Sequence, residues 1–228
     1  MKKHANCAEC TLPNNERICM DPGGKTSPGC PTPRKRLVEA AKKEYKKGEV
    51  NKFARLASIQ EAECYINREK KPYVMHPVKP RIQEICEFAK KMGYKKLGLV
   101  FCVGLKKEAE IANRIFKVQG FHTVSVVCKA GRMPKEELGL KENEKIFIGE
   151  FESACNPILQ ALIVNNEKTD FNILLGLCVG HDSLFFKYAT SPSTVLAVKD
   201  RVTGHNPLAA LYLYETYYMR LCKKCFDL

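Results

Sequence analysis

Two cysteines three residues apart, in Cys7-Ala8-Glu9-Cys10, stand near the start of the chain, and Cys19 and Cys30-Pro31 follow within the next twenty residues. A Cys-x-x-Cys turn lets two thiolates grip one metal centre. Two further cysteines complete the four sulfur ligands wanted by both tetrahedral zinc and a cubane iron–sulfur cluster. Zinc ribbons usually carry a second close pair. Here the last two cysteines are isolated and one precedes proline, which favours an iron–sulfur cluster, with zinc as the alternative. The surrounding residues are rich in proline and glycine and show no apolar periodicity, so residues 1–33 have no core of their own to order them. Metal binding would supply that order.

A second set is dispersed in sequence. Cys102, Cys128 and Cys178 each close a short apolar run, and Cys155 precedes Asn156-Pro157, a pairing that starts helices with Asn as cap and Pro at the first helical position. A helix N-terminus stabilises a thiolate. His181 and Asp182 stand just after Cys178, where they would ligate, move protons or orient a substrate. Gly104 and Gly180 follow two of these cysteines at the same offset, which would let backbone approach a bound group.

What brings these residues together must be the fold. From residue 94 the texture is short apolar runs alternating with amphipathic stretches, the signature of βαβ units on a parallel sheet. Strands are predicted over 97–102, 123–128, 172–178 and 194–198, and helices near 105–119, 156–166, 183–189 and 206–221. The fold class is therefore α/β: a Rossmann-like three-layer arrangement with a mostly parallel sheet of about four strands. In such sheets ligands bind outside the carboxyl ends of the strands, so Cys102, Cys128, Cys155 and Cys178 are expected to converge there and to hold a second cluster. Residues 34–93 read as helices packed on this body, with Leu37, Val38, Ala41 and Tyr45 at helical spacing. Three zones result: a cysteine-rich arm (1–33), a helical segment (34–93) and an α/β domain (94–228).

Composition limits the rest. With 228 residues, 45% hydrophobic and 28% charged, the chain sits in the globular range, and no apolar run approaches the roughly 20 residues of a membrane span. No secretory signal is evident, which predicts a cytoplasmic protein; in that reducing compartment 12 cysteines point to ligands, reactive thiols and core residues before disulfides. The formal charge of +13 comes from lysines spread over many segments, and Trp is absent, so a nucleic-acid partner is not expected. Lys199-Asp200-Arg201 follows the fourth strand, either to bind an anion or to form surface ion pairs. His205-Asn206-Pro207 should start a helix. Cys64 and Cys86 should be core, and Cys222-x-x-Cys225 should end a helix.

Phe101-Cys102-Val103-Gly104-Leu105, Ala154-Cys155-Asn156-Pro157 and Gly176-Leu177-Cys178-Val179-Gly180-His181-Asp182-Ser183 occur here together with Lys199-Asp200-Arg201-Val202 and Gly204-His205-Asn206-Pro207. The combination resembles a bacterial and archaeal family of unknown function, seen mainly in anaerobes and usually described only as metal-binding proteins. Cys7-x-x-Cys10 and Cys30-Pro31 match that family's cysteine arm. The resemblance implies that arm and glycine–histidine–aspartate loop belong to one design, and leaves metal and substrate open. Two functions fit: a redox or sulfur-transfer protein with one or two [4Fe-4S] clusters, acting on a small molecule or a redox partner protein, or a non-catalytic zinc-binding or metal-carrier or sensor accessory protein.

Overall fold

The computed structural model describes residues 4–224, and Cys225 lies outside them. Its contacts divide the chain into two compact units, between Ala62 and Glu63. The first unit holds the arm, α1 (Lys35–Tyr45) and most of α2 (Gly48–Glu63). Short 3-10 turns at Cys7–Glu9 and Asn14–Glu16 and a single bridge between Arg17 and Lys25 make up the arm's regular structure.

The second unit contains α3 (Arg81–Met92) and a four-stranded sheet of β1 (Lys96–Phe101), β2 (His122–Val127), β3 (Phe171–Leu175) and β4 (Ser193–Ala197). The sheet is all parallel, in the order β2-β1-β3-β4. Parallel neighbours need crossover helices, and α4 (Lys106–Val118), α5 (Pro157–Asn166) and α6 (His181–Tyr188) supply them. Strand alternation then sorts the core into two layers. Val100, Val126 and Leu174 pack with Ala161 and Val164 of α5 and Phe185 of α6. On the opposite face Phe171 meets Phe88 of α3, ring centroids 5.8 Å apart, and Phe101 lies beside Ala109 of α4. The fold is the α/β, Rossmann-like one that the alternating pattern predicts. Cys64 and Cys86 are buried, as expected.

The chain leaves β1 for β2 and then returns to the other side of β1 for β3, so a topological switch point lies between β1 and β3. Gly176 shapes it. Its φ of +68° suits glycine, and a Cβ there would stand 2.2 Å from Leu105 Cδ1. A Cβ on Gly104 would make only ordinary contacts with Lys199 and Cys102, and one on Gly180 would meet nothing within 4 Å. Gly180 has a φ of +85°, at the N-cap of α6, which suits glycine.

Two elements differ from expectation. The C-terminal helix is short, α7 (Leu208–Tyr212), followed by turns and a 3-10 segment at Met219–Cys222, and Pro207 rather than Asn206 is its N-cap. None of its residues is buried, so no docked apolar face extends it. Between β2 and α5 the chain makes an excursion framed by ion pairs. Buried Lys145 pairs with Glu136 and, at 2.8 Å, with Glu142; Lys135 pairs with Glu152 at 2.7 Å. Among the described residues no helix is long and apolar enough to cross a membrane.

Candidate thiolate and metal sites

The cysteines expected at the sheet edge lie just beyond the strands rather than inside them. Cys102 and Cys128 are one residue past β1 and β2, and Cys178 is three past β3. Backbone hydrogen bonds carry the sheet outward to them: Cys102 N–H donates to Leu175 O (3.0 Å) and Cys128 N–H to Phe101 O (2.9 Å). Cys155 arrives from the excursion. Its return is fixed by Ala154 N–H to Met133 O (2.7 Å) and Asn156 N–H to Cys128 O (2.7 Å), and Asn156 caps α5 by accepting from Leu159 N–H (2.9 Å), with Pro157 at the first position. Gln160, one turn into α5, donates to Val126 O and Phe101 O and locks the ends of β1 and β2 beneath the site.

Three of these sulfurs form a row. Cys128, 3% exposed, follows β2 beside Cys102 in the continued β1–β2 register, its carbonyl accepts the N–H of the residue after Cys155, and His181 at the start of α6 is near enough to Cys155 for imidazole and thiol to shift one another. Cys128 also accepts the Val103 N–H at 3.3 Å. One buried thiol thus serves two partly exposed neighbours. The neighbouring Cys128 thiol holds the Cys102 pKa down to about 5, helped by the Gly104 amide and Lys199, and Cys128 and His181 hold that of Cys155 down to about 4. Cys128 itself is pushed well up, since both neighbours and burial favour its proton. His181 is raised in turn by Cys155.

Cations rim the row. Lys199 and Lys129 lie near enough to Cys102 and Cys155, respectively, to favour their thiolates, and Arg201 Nη2 donates to Cys178 Sγ at 3.1 Å. Lys199 and Arg201 therefore address sulfur, where surface ion pairs were one expectation. Asp200 builds their loop by accepting from Val202 and Thr203 N–H, both at 3.0 Å. Asp182 turns into its own helix end, accepting from Ser183 N–H at 2.7 Å, so of the His181-Asp182 pair it is the histidine whose charge favours the Cys155 thiolate. Sequence reasoning missed Lys129 and the Val103 amide. A lysine directly after a cysteine that closes a strand was the one signal available for the former.

In the arm, Cys7, Cys10, Cys19 and Cys30 line a single recess of about 80 Å³ with Arg17, Lys25 and Ser27. The 3-10 turn from Cys7 O to Cys10 N–H pairs the first two, and Asn6 N–H to Gly29 O (3.2 Å) brings the Cys30 turn alongside. Glycine is needed at both close approaches: a Cβ on Gly29 would stand 2.7 Å from His4 O, and one on Gly24 2.4 Å from the Arg17 carbonyl carbon. The Cys10 thiol is lowered by its Ser27 hydrogen bond, the Leu12 amide and Arg17. Donor number and type fit a four-thiolate centre. The sulfurs are not gathered around one point: among the described residues no group of three or more His, Cys, Asp or Glu side chains stands ready to hold a metal ion, in the arm or at the sheet edge.

The family described as "Protein of unknown function (DUF1847)" matches residues 30–196. The chain belongs to this family. The match takes in Cys30, every cysteine of the sheet edge and His181, while Cys7, Cys10, Cys19, Lys199 and Arg201 fall outside it. "Uncharacterized protein MJ0455" of the archaeon Methanocaldococcus jannaschii is 39% identical over 214 residues, covering 94% of this chain and 96% of its own. No solved structure matches the chain.

Proposed function

We propose that this DUF1847 protein is a thiolate protein with two separate sulfur sites: a metal centre in the arm and a reactive thiol site at the carboxyl edge of the sheet, serving redox or sulfur-transfer chemistry. The observation that carries this reading is that backbone bonds at the carboxyl ends of β1, β2 and β3 bring Cys102, Cys128 and the Cys155 turn to one switch point, where Arg201 also donates to Cys178. A carrier built around the arm alone has no use for depressed thiolates, an imidazole and cations at the far end of a parallel sheet. The row also favours reaction over ligation there. Its cysteines are anchored by backbone bonds to the ends of a parallel sheet and the start of α5, whereas the arm rests on short turns that can close around a metal at small cost.

For the arm, Cys7, Cys10, Cys19 and Cys30 are the residues that would hold the group, and a [4Fe-4S] cluster would supply one-electron transfer there. A zinc ion would supply structure alone, as in the carrier or accessory reading. The cytoplasm keeps both thiol sets reduced. Iron, acid-labile sulfide and zinc per chain, measured after anaerobic purification, test the assignment. Iron and sulfide in near-equal amounts are expected, lost in the Cys7→Ser/Cys10→Ser variant and retained in Cys102→Ser/Cys155→Ser. Zinc without sulfide would select the accessory reading, and metal lost only from the second variant would overturn the two-site assignment.

A further inference from the structure

Cys128 is placed as few buried thiols are. It is closed off from solvent, yet its neighbours in the continued β1–β2 register and across the Asn156 N–H to Cys128 O bond are two partly exposed cysteines, Cys102 and Cys155. Cys102 and Cys128 are the next step in the β1–β2 register after Phe101 and Val127. Neighbouring parallel strands are roughly 4.8 Å apart, inside the Cα separation of about 4.4–6.8 Å that a disulfide spans. Cys155 is held beside Cys128 by the 2.7 Å hydrogen bond from the next residue's amide to the carbonyl of Cys128. A thiol that external reagents reach poorly, adjacent to one they reach, is the arrangement that resolves a mixed disulfide.

We infer that the row is a thiol–disulfide exchange site, with Cys155 attacking, Cys128 resolving, and Lys129, Lys199 and Arg201 selecting disulfides that carry carboxylates. The inference rests on the reading of the edge as a site of reactive thiols and names its substrate class. In the first step the Cys155 thiolate attacks one sulfur of an external disulfide R–S–S–R. A bond forms between Cys155 and that sulfur, the external S–S bond breaks, and RS⁻ departs with the electron pair and takes a proton from the His181 imidazolium. In the second step Cys128 attacks the Cys155 sulfur, giving Cys128–Cys155 and expelling the second RS⁻, which takes the Cys128 proton. The external disulfide is reduced to two thiols and the two protein thiols are oxidised to one disulfide, so electrons and protons balance without another reactant. Neither step consumes Cys102, which stays beside the resolving cysteine in the continued β1–β2 register.

The test uses the full-length reduced protein and oxidised glutathione as the anionic disulfide, with cystamine as its cationic counterpart. Mass spectrometry should find the chain lighter by two hydrogens, with peptides of Cys128 and Cys155 joined. Cys128→Ser should stop at a stable adduct of one glutathione on Cys155. Oxidised glutathione should react at least about tenfold faster than cystamine at low ionic strength, and Arg201→Gln with Lys199→Gln should remove most of that preference by slowing oxidised glutathione and making cystamine no slower than in wild type. A circular dichroism spectrum unchanged from wild type keeps each variant interpretable. A stable adduct on wild type, a disulfide that excludes Cys128, or equal rates for the two reagents would overturn the inference. Because the probe reads sulfur connectivity, these failures are distinct from failure of the two-site reading, which would appear as iron bound to the edge cysteines.

Discussion

Cys128 holds a proton that both neighbours want, and the consequence is a pH response opposite in sign for Cys128 and for its neighbours. Cys102 and Cys155 fall from 9.0 to about 5 and about 4, so what they contribute to stability is full above pH 9 and is lost as pH falls through those folded values. Cys128 is raised, so its contribution is full below 9 and is lost as pH rises towards its folded value. Both thiolates are part-exposed, which mutes the effect without changing its sign. In metal-free, reduced protein the alkylation rate of Cys155 by iodoacetamide should stay nearly level from pH 8 to pH 6, whereas an ordinary thiol of pKa about 8.5 slows roughly tenfold per unit. His181→Ala removes a donor and a nearby positive charge, and should raise the midpoint of that profile by roughly one unit. A profile that tracks an ordinary thiol in wild type would show that the row is not assembled in solution. The urea midpoint of Cys102→Ser/Cys155→Ser should also change less between pH 8 and pH 5 than that of wild type.

Elements place the row, and two of their features can be removed singly. Gly176→Ala puts a methyl against Leu105 in a backbone conformation of positive φ, and should cost about 2–4 kcal/mol in urea unfolding. Asn156→Ala takes away the α5 cap next to Cys155 and should cost about 1 kcal/mol, with slower Cys155 alkylation as the local sign that the helix start positions the thiol. The strands and the helices α4 to α6 were legible because each carries its periodicity in contiguous residues, and Asn156-Pro157 marked the start of α5. α7 was overread, since Leu208, Leu211 and Tyr212 have helical spacing but no buried partner. The excursion between β2 and α5 was not legible at all. Its order depends on Lys145 and Lys135 meeting carboxylates up to seventeen residues away, and charge spacing alone does not reveal a buried ion pair. For the same reason Lys199 and Arg201 were left between an anion site and surface pairs: position after β4 was readable, the facing sulfur was not.

At the scale of the whole molecule, the cysteines fall into sets with different support. Those of the edge stand on a parallel sheet, with β1 and β3 buried at its centre, in the unit that starts at Glu63, and those of the arm stand on short turns in the other unit. Removing Cys7 and Cys10 together should therefore expose residues before about Ala62 to limited trypsin digestion while the second unit persists as a resistant fragment; equal resistance in wild type and variant would show that the arm needs no metal to stay ordered. The two-site assignment is tested most directly by differential alkylation of anaerobically purified protein, labelling the native chain with one isotopic reagent and, after acid release of metal, labelling the remainder with another. Peptide mapping should place the first label on Cys102 and Cys155 and the second on Cys7, Cys10, Cys19 and Cys30. The reverse pattern, with metal shielding Cys102 and Cys155 while the arm labels freely, would contradict it.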